Sequence, residues 1–573
     1  MLILIVVAVV LAWFYLAYRF YGKFLQDRLI EADDNRPTPA VALEDGVDFV
    51  PARKMFLWGH HFSSIAGAGP IVGPIIAVSI YGWALPTLWI ALGCVFIGGV
   101  HDYMSLMLSV RHQGRGIAEI AGTTVGKGTR IIFGLLLWLT LIFIITVFAE
   151  SSATALIKKP ELVIPTAGVC IVAMLLGQAV YRLKLNTTVA TILAVAAMYG
   201  LVWVGFHYPL ALPADWSPEL KENTVVVILF AYCAVASLLP VWFLLQPRDF
   251  LSAIQLFVGL VLGFVGVIVV HPEISAPAMT GGFIAGNNPV WPMLFITVAC
   301  GAVSGFHTMV ATGTTSKQLA KETDGRIVGY GGMLMEGVLA FLVVLVVGAG
   351  LKWGLAPEGT DAAVAVEQYF GSALSQGWIV AFGSGFGNLA GHVVPGLGVG
   401  LAALLGASMV KTFVMTSLDT STRLGRFIFC ETLAPNSRLI NNKIVGTAVV
   451  VIPSLFLALS NDYQTIWKMF GASNQLIAAI ALIVISAYLA GKRKPTVYTF
   501  LPAVFMTATT LAALGWNMFN PKTGYFTGPA KDATLGIIAV ALVVMALVIF
   551  VESTMIIARI RSGKGKARVD ARP

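Results

Sequence analysis

Apolar stretches separated by short polar segments recur along the whole chain. A stretch of about 18 or more apolar residues favours a membrane-spanning α-helix. The pattern therefore predicts an all-α polytopic membrane protein with about fifteen or more transmembrane segments. The predicted segments are 2–21, 55–80, 84–110, 130–157, 162–181, 187–209, 223–245, 250–271, 293–315, 327–351, 396–422, 443–460, 465–490, 496–519 and 533–558.

The second predicted segment is interrupted by polar and small residues. Residues 58–70 read WGHHFSSIAGAGP, with two histidines, two serines and a glycine-rich stretch ending in proline. Non-helical backbone at membrane depth is tolerated only where it is buried in protein or lines a cavity. Secondary transporters build their substrate and ion sites from such broken helices. The interruption therefore indicates a transporter.

Segment 293–315 contains a similar pattern, SGFHTMVATG at residues 304–313. In the predicted topology the two segments cross the membrane in opposite directions, which is the signature of an inverted repeat. We therefore expect five helices plus five with additional helices around them. The expected units are an N-terminal helix and loop at 1–54, a first repeat at 55–209, an inserted pair at 210–292, a second repeat at 293–490 and C-terminal helices with a basic tail at 491–573.

The second repeat contains an expected external excursion at 353–395. Within it, 375–395 is mildly apolar but carries helix-breaking residues, among them Gly383, Gly385, Gly387, Asn388, Gly391 and Pro395. So many helix-breaking residues favour a re-entrant or external segment over a full span. A pair of short helices is the alternative.

Composition supports the membrane assignment and narrows the function. Apolar residues make up 58% of the chain and charged residues 11%. The net charge of +9 comes from basic residues spread over short loops, which does not indicate nucleic-acid binding. The five cysteines lack CxxC spacing, no HxxxH pair suggests a metal site, and no HExxH or GxSxG motif suggests an enzyme. We expect no cofactor.

The basic loops also predict an orientation. Lysine and arginine cluster in alternate loops, whereas 272–292 and 353–395 contain none. By the positive-inside rule the N-terminus is expected outside and the C-terminus, with its basic run from Arg559, in the cytoplasm. Lys158 and Lys159 are the exception, since this scheme leaves them outside.

Candidate substrate contacts gather at the two broken segments. Backbone amides freed near Gly67, Ala68 and Gly69 would suit a carboxylate, because the N-terminus of a helix attracts anions. Close helix packing through small residues is the alternative. The remaining candidates are side chains beside these breaks: His61, Ser63, Ser64, Ser304, His307 and Thr308.

Candidate ion-coupling residues are ionisable groups within predicted spans, where a charge is costly unless paired or hydrated. Imidazoles titrate near neutral pH, which suits proton coupling. His60 and His61 lie about 100° apart on a helix, so they cannot both face one point. Asp419 has Arg423 and Arg426 at helical spacing, and a structural ion pair is the alternative there. The candidates are His60, His61, Asp102, His307, Lys411, Thr416, Ser417 and Asp419.

Several longer motifs resemble the carbon starvation protein (CstA) family of bacterial inner-membrane transporters. They are spread over residues 17–490, and their number and order make the resemblance specific. They are AYRFY at 17–21, RPTPA at 36–40, GHHF at 59–62 through GP at 73–74, LPVW at 239–242 through PRD at 247–249, ACGAVSGFH at 299–307, GYG at 329–331 through ME at 335–336, LDT at 418–420 through Arg426, and FGASNQ at 470–475.

The resemblance implies a LeuT-like fold, a place in the bacterial inner membrane, and uptake of peptides or pyruvate when carbon is scarce. Together with the candidate residues it predicts a proton symporter for a small carboxylate-bearing nutrient. Thr416 and Ser417 resemble the hydroxyl pair of a sodium site, so sodium coupling is one alternative. A passive channel is another. Compared with longer family members, the chain lacks an additional N-terminal helix and much of the stretch near 353–395.

Overall fold

The structure is a computed structural model, and it describes residues 1–46, 48–240, 243–281, 284–285, 288–433, 442–460, 463–529 and 531–562. Within these residues, thirteen helices are long and apolar enough to cross a membrane. The broken helix at 54–81 is one further candidate, which gives up to fourteen crossings among the described residues, one fewer than the fifteen predicted from the sequence. The predicted segment 293–315 is not among them, because its two helices are short.

The first half of the chain is helical except for its connections. The N-terminal helix continues through π-helical turns to Ile30, nine residues beyond its predicted end. The helices are α1 (Leu2–Leu16), α2 (Pro39–Ala42), α3 (Lys54–Ile65), α4 (Gly69–Tyr81), α5 (Ala84–Gly93), α6 (Gly99–Arg111), α7 (Ile117–Thr124), α8 (Lys127–Lys158), α9 (Val163–Gly177), α10 (Thr187–His207), α11 (Pro218–Leu238) and α12 (Leu245–Val270).

The second half begins with a short antiparallel pair, β1 (Ile284–Ala285) and β2 (Asn288–Pro289). A π-helical stretch, Val290–Leu294, leads into the first of its helices. These are α13 (Phe295–Thr297), α14 (Gly305–Gly313), α15 (Gly331–Ala349), α16 (Ala362–Gln368), α17 (Phe370–Ser375), α18 (Trp378–Ala390), α19 (Val399–Ile428), α20 (Lys443–Ser460), α21 (Tyr463–Gly491), α22 (Val497–Phe519) and α23 (Ala533–Arg561).

The first break separates α3 from α4, which are bent by 48°. Ala66 leaves the helical conformation with ψ 58°. Pro70 lies in the first turn of α4, where the missing N–H of proline has no helical acceptor to lose. The predicted interruption is therefore a three-residue break, and a new helix starts directly after it.

The second break lies earlier than the sequence pattern suggested. The chain is non-helical from Val298 to Ser304, and residues 305–313, predicted to form the interruption, are helix α14. As a result His307 follows its break, whereas His61 precedes the first one. The two histidines are therefore not equivalent positions of a repeat.

The segment at 375–395 consists mainly of α18, which is too short to cross a bilayer at about 1.5 Å per residue. It is buried along its length and packs against α12, α15 and α19. Its glycines allow this close packing, since a Cβ at Gly383 would lie 2.8 Å from the carbonyl oxygen of Ala403. The segment is one short helix buried in protein, so it is neither external nor the pair of short helices of the alternative prediction.

Helix packing follows a pseudo-symmetric pattern. Helix α12 packs against α3, α15 and α19, and α21 packs in the same way against α14, α6 and α8. Likewise α11 contacts α8 and α19, while α20 contacts α19 and α8. Helices α9 and α10 pair with each other at the outer side of α12 and α19.

Candidate functional site

The two breaks lie directly against each other. A Cβ atom at Gly69 would be 2.3 Å from Sγ of Cys300, and one at Gly301 would be 3.5 Å from Cα of Pro70. Glycine is required at position 69 because any side chain would displace the opposite break. The centre of the molecule is thus built from irregular backbone of both broken helices.

Backbone amides are available at the first break. The amides of Ala68 and Gly69 belong to the first turn of α4, where no intrahelical acceptor exists. At the second break one amide of the first turn is satisfied by a side chain, since Phe306 N–H donates to Oδ1 of Asn474 over 2.8 Å. Of the three predicted carboxylate contacts, Ala68 and Gly69 fit the structure, whereas the amide of Gly67 already donates to the carbonyl of Ile65 over 2.8 Å.

The hydroxyl groups predicted to contact substrate are held by the protein. Ser63 and Ser64 both donate to the carbonyl of His60, over 3.1 and 2.7 Å. Ser304 donates to Oδ1 of Asn474 over 3.4 Å, and Thr308 Oγ1 lies 2.5 Å from Oγ of Ser105. Ser63 and Ser64 thus bond within their own helix, whereas Ser304 and Thr308 link neighbouring helices.

Four ionisable side chains form a continuous buried row beside the second break. Asp102 receives one imidazole on each carboxylate oxygen: His101 Nδ1 lies 2.7 Å from Oδ1, and His307 Nδ1 lies 2.7 Å from Oδ2. The opposite nitrogen of His307 lies 3.0 Å from Oε2 of Glu336. All four side chains are fully buried. We call this set the His–carboxylate row.

His61 flanks the row and His60 does not. His61 is fully buried, with Nδ1 2.8 Å from Oγ1 of Thr315 and its ring against Gly332 of α15. Its Nε2 has no hydrogen-bond partner among the described residues. His60 is partly exposed at the surface of α3. Of the two neighbouring histidines, His61 is the one that faces the interior.

Asp419 belongs to a second buried cluster with a different partner from the one considered in the sequence. Arg248 of α12 holds both of its carboxylate oxygens, with Nη2 2.8 Å from Oδ1 and Nη1 in contact with Oδ2. The hydroxyl of Tyr232 donates to Asp419 over 2.9 Å. Arg423 and Arg426 donate instead to the carbonyls of Leu239 and Ser237.

The other candidates on α19 face different neighbours. Lys411 is fully buried, and its ammonium group has no hydrogen-bond partner within the described part of the chain. Thr416 donates to the carbonyl of Thr412 over 3.0 Å. Ser417 meets the first break, because a Cβ at Gly67 would lie 2.3 Å from its Oγ. Lys411, Thr416 and Ser417 therefore do not form one site.

Four residues of these clusters were not among the predicted site residues: His101, Glu336, Arg248 and Tyr232. Glu336 and His101 lie within predicted spans, and a buried ionisable group there was a sufficient signal. Arg248 lies two residues before the predicted start of its span, so the sequence pattern placed it in a loop. The structure places it inside the first turn of α12, fully buried.

Comparisons with known proteins agree with this architecture. Residues 1–513 match the family described as carbon starvation protein CstA. The chain is 33% identical to the pyruvate/proton symporter BtsT of Escherichia coli, over 89% of this chain and 81% of that protein. It is 32% identical to the peptide transporter CstA of Campylobacter jejuni, over 87% and 77%.

Among solved structures, the chain resembles MhsT in complex with L-phenylalanine, with a TM-score of 0.50 and 11% identity. This match covers 88% of the chain and 99% of MhsT, and at such identity it bears on the fold alone. MhsT has the LeuT fold. The predicted LeuT-like fold and the predicted transporter class are confirmed.

Proposed function

Because this chain belongs to the carbon starvation protein CstA family, we propose that it is a proton-coupled symporter that imports a peptide or pyruvate. The observation that carries this proposal is the position of the Asp102–His307 pair. His307 is buried in the first turn of α14, directly after the second break, and Asp102 contacts it from α6. Because the two breaks are in contact, the proposal has the proton site next to the carboxylate site.

The substrate binds between the breaks through its carboxylate. Pyruvate and the C-terminus of a peptide share this group, and the two relatives above are named for pyruvate and for peptides. The free amides of Ala68 and Gly69 at the start of α4 provide hydrogen bonds and the positive end of a helix dipole. Amide binding selects for the carboxylate and leaves the rest of the ligand to the surrounding side chains.

Coupling uses imidazole and carboxylate groups of the bundle. His307 lies between two carboxylates, and His61 faces the same region from α3. An imidazole changes its charge near neutral pH, so proton binding here alters the electrostatics next to the substrate. Such a change can favour one orientation of the bundle over the other.

Alternating access follows from an inverted repeat whose division differs from the predicted one. The matched packing supports a first repeat made of α3–α4, α5–α6, α8, α11 and α12. The second repeat is made of α13–α14, α15, α19, α20 and α21. In this division the inserted pair is α9–α10, whereas the sequence suggested 210–292.

The protein resides in the bacterial inner membrane with its N-terminus outside and its C-terminus in the cytoplasm, and acts when carbon is scarce. The distribution of basic loops supports this orientation. The basic run from Arg559 enters α23 as far as Arg561, and the rest of the tail lies outside the described residues.

Sodium coupling is the second candidate. The observation that favours it is the close contact between Gly67 and Ser417, because carbonyls of a broken helix and a hydroxyl group are suitable ligands for sodium. Thr416 weakens this alternative, since its hydroxyl donates to its own helix.

Transport by purified protein in liposomes tests the proposal. Radiolabelled pyruvate and alanyl-alanine are followed with an inward gradient of one pH unit and the membrane potential clamped. One proton per substrate sustains about tenfold accumulation under these conditions, since one pH unit corresponds to 1.36 kcal/mol.

The controls separate the alternatives. Collapse of the pH gradient must abolish accumulation, and replacement of sodium by potassium must leave it unchanged. Uptake that stops at the outside concentration would indicate a passive channel. Accumulation that requires sodium and does not depend on the pH gradient would show that sodium is the coupling ion.

A further inference from the structure

One face of α15 runs past every part of the candidate site. A Cβ at Gly332 would lie 3.0 Å from the ring of His61. One turn later Glu336 lies 3.0 Å from His307, and after another turn Ala340 meets Gly301 of the second break. Glu336 is thus located between the histidines and the place where the two breaks meet.

Glu336 is fully buried but poorly satisfied. Its Oε2 lies at ion-pair distance from His307, yet the N–H direction does not fit a hydrogen bond, and neither carboxylate oxygen has a hydrogen-bond partner among the described residues. By contrast, both oxygens of Asp102 are hydrogen-bonded. Of the two carboxylates next to His307, Asp102 is therefore solvated by the protein and Glu336 is not.

The charges of the row lead to the same distinction. A protonated His307 neutralises one carboxylate, and its short contact with Asp102 identifies that partner. When only one imidazole of the row is protonated, a second ionised carboxylate would be buried without compensation, which is strongly unfavourable. Of the two carboxylates, Glu336 is therefore the one that favours the protonated acid.

We propose that Glu336 is the residue that carries the coupled proton, with the His101–Asp102–His307 unit holding it in position. This inference rests on the proposed symport. Glu336 binds a proton from the outside when the breaks are accessible there, and it releases that proton to the cytoplasm after the bundle has moved. Only its O–H bond forms and breaks, and each cycle moves one proton with one substrate.

Several other titratable groups face Glu336 and belong in any interpretation of its pH dependence. Cys94 between α5 and α6, Asp102 of α6, Cys300 of the second break and His307 of α14 lie close enough to interact with its charge. His101 adjoins through Asp102, and His61 of α3 contacts Gly332 one turn earlier on α15. Cys300 also contacts Gly69, so the second break connects Glu336 with the proposed carboxylate site.

The test replaces Glu336 by glutamine, which has the shape of the protonated acid. In the liposome assay above, E336Q is expected to lose the pH-driven accumulation, from about tenfold to equilibration. It is expected to keep exchange of labelled for unlabelled substrate across the membrane, because exchange needs substrate binding and bundle movement but no net proton release. Substrate-dependent acidification of the lumen, followed with a trapped pH dye, should disappear.

Two variants provide the comparison. E336D retains a carboxyl group and should retain part of the accumulation. E552Q makes the same substitution in α23, where Glu552 accepts a hydrogen bond from Thr129 over 2.6 Å, and should transport like the wild type. If E336Q still accumulates substrate tenfold, or if it loses exchange and accumulation equally while remaining monodisperse, Glu336 does not carry the proton.

Transport by the wild type distinguishes a failure of the proposed function from a failure of the Glu336 assignment. If the wild type accumulates neither pyruvate nor the dipeptide under a proton gradient, proton symport of these substrates is refuted, and the inference about Glu336 is refuted with it. If the wild type accumulates substrate and E336Q does too, only the assignment of Glu336 is overturned.

Discussion

At the scale of single residues, the two buried clusters of this protein stabilise ionisable side chains in different ways. In the His–carboxylate row, imidazoles and carboxylates alternate, and protons can be gained or lost without removing a partner. In the second cluster, Arg248 is permanently charged and holds Asp419 through both carboxylate oxygens. The first arrangement suits proton exchange, whereas the second suits a fixed link between helices α12 and α19.

We predict that Arg248→Met destabilises the protein strongly. The substitution leaves Asp419 buried without its countercharge, which costs about 3–5 kcal/mol. In the double variant Arg248→Met, Asp419→Leu the uncompensated charge is gone, and most of the stability should return. Thermal unfolding in detergent, followed by intrinsic fluorescence, measures both effects.

The matched control for this pair is Arg423→Met. Arg423 is in α19, the helix that carries Asp419. It donates to the carbonyl of Leu239 and has no ion-pair partner among the described residues. Its loss should lower the melting temperature less than the loss of Arg248. Equal effects of the two single substitutions would mean that the buried ion pair makes no special contribution.

At the scale of elements, the broken helices explain how a site forms in an apolar interior. Each break frees backbone groups that an intact helix would use internally. At the start of α14 a side chain takes this role, since Asn474 accepts from the N–H of Phe306. In our proposal the amides at the start of α4 bind the substrate instead.

We predict that Gly67→Ala impairs transport, because the new Cβ would lie 2.3 Å from Oγ of Ser417. Overpacking of this kind costs about 1–3 kcal/mol and shifts the backbone, so initial uptake should fall about tenfold. Adding Ser417→Ala removes the clashing oxygen and should restore proton-driven uptake.

Gly59→Ala is the control in the same helix, since nothing lies within 4 Å of a Cβ at that position. Its uptake should equal that of the wild type. If Gly67→Ala is also neutral, the contact between the first break and α19 is not required for transport. If Ser417→Ala alone abolishes uptake, the hydroxyl itself takes part and sodium coupling gains support.

At the scale of the whole molecule, the matched packing of α12 and α21 relates the two halves better than the local sequence echo does. The echo aligned His61 with His307, but the two histidines lie on opposite sides of their breaks. A repeat is defined by which helices pack together, and similar short motifs of small residues arise easily in membrane helices.

The proposed orientation predicts which surface positions react outside the cell. Glu44 and Glu358 are both exposed, in loops on opposite predicted sides. In intact cells a membrane-impermeant maleimide should label Glu358→Cys, whereas Glu44→Cys should react only after lysis. The wild type serves as the blank, because three of its five cysteines are buried in the protein and none lies in an exposed loop. The reverse labelling pattern would invert the topology.

The sequence by itself determined the membrane class, the first break and the family, and it came close to the number of candidate crossings. These features depend on local composition: apolar length sets a crossing, and glycine with proline ends a helix. Asp102 and His307 were also identifiable, because an ionisable residue within an apolar span is costly wherever its partner lies.

Only the tertiary structure decided how these residues combine. Asp419 pairs with Arg248, 171 positions away, rather than with the arginines at helical spacing on α19. The role proposed for Glu336 depends on its contact with His307 and on the position of its helix beside the breaks. The sequence of α15 predicts neither contact. The second break was misplaced for the same reason. Local sequence sets what a helix is, whereas packing between distant helices sets which charges meet and which backbone groups remain free.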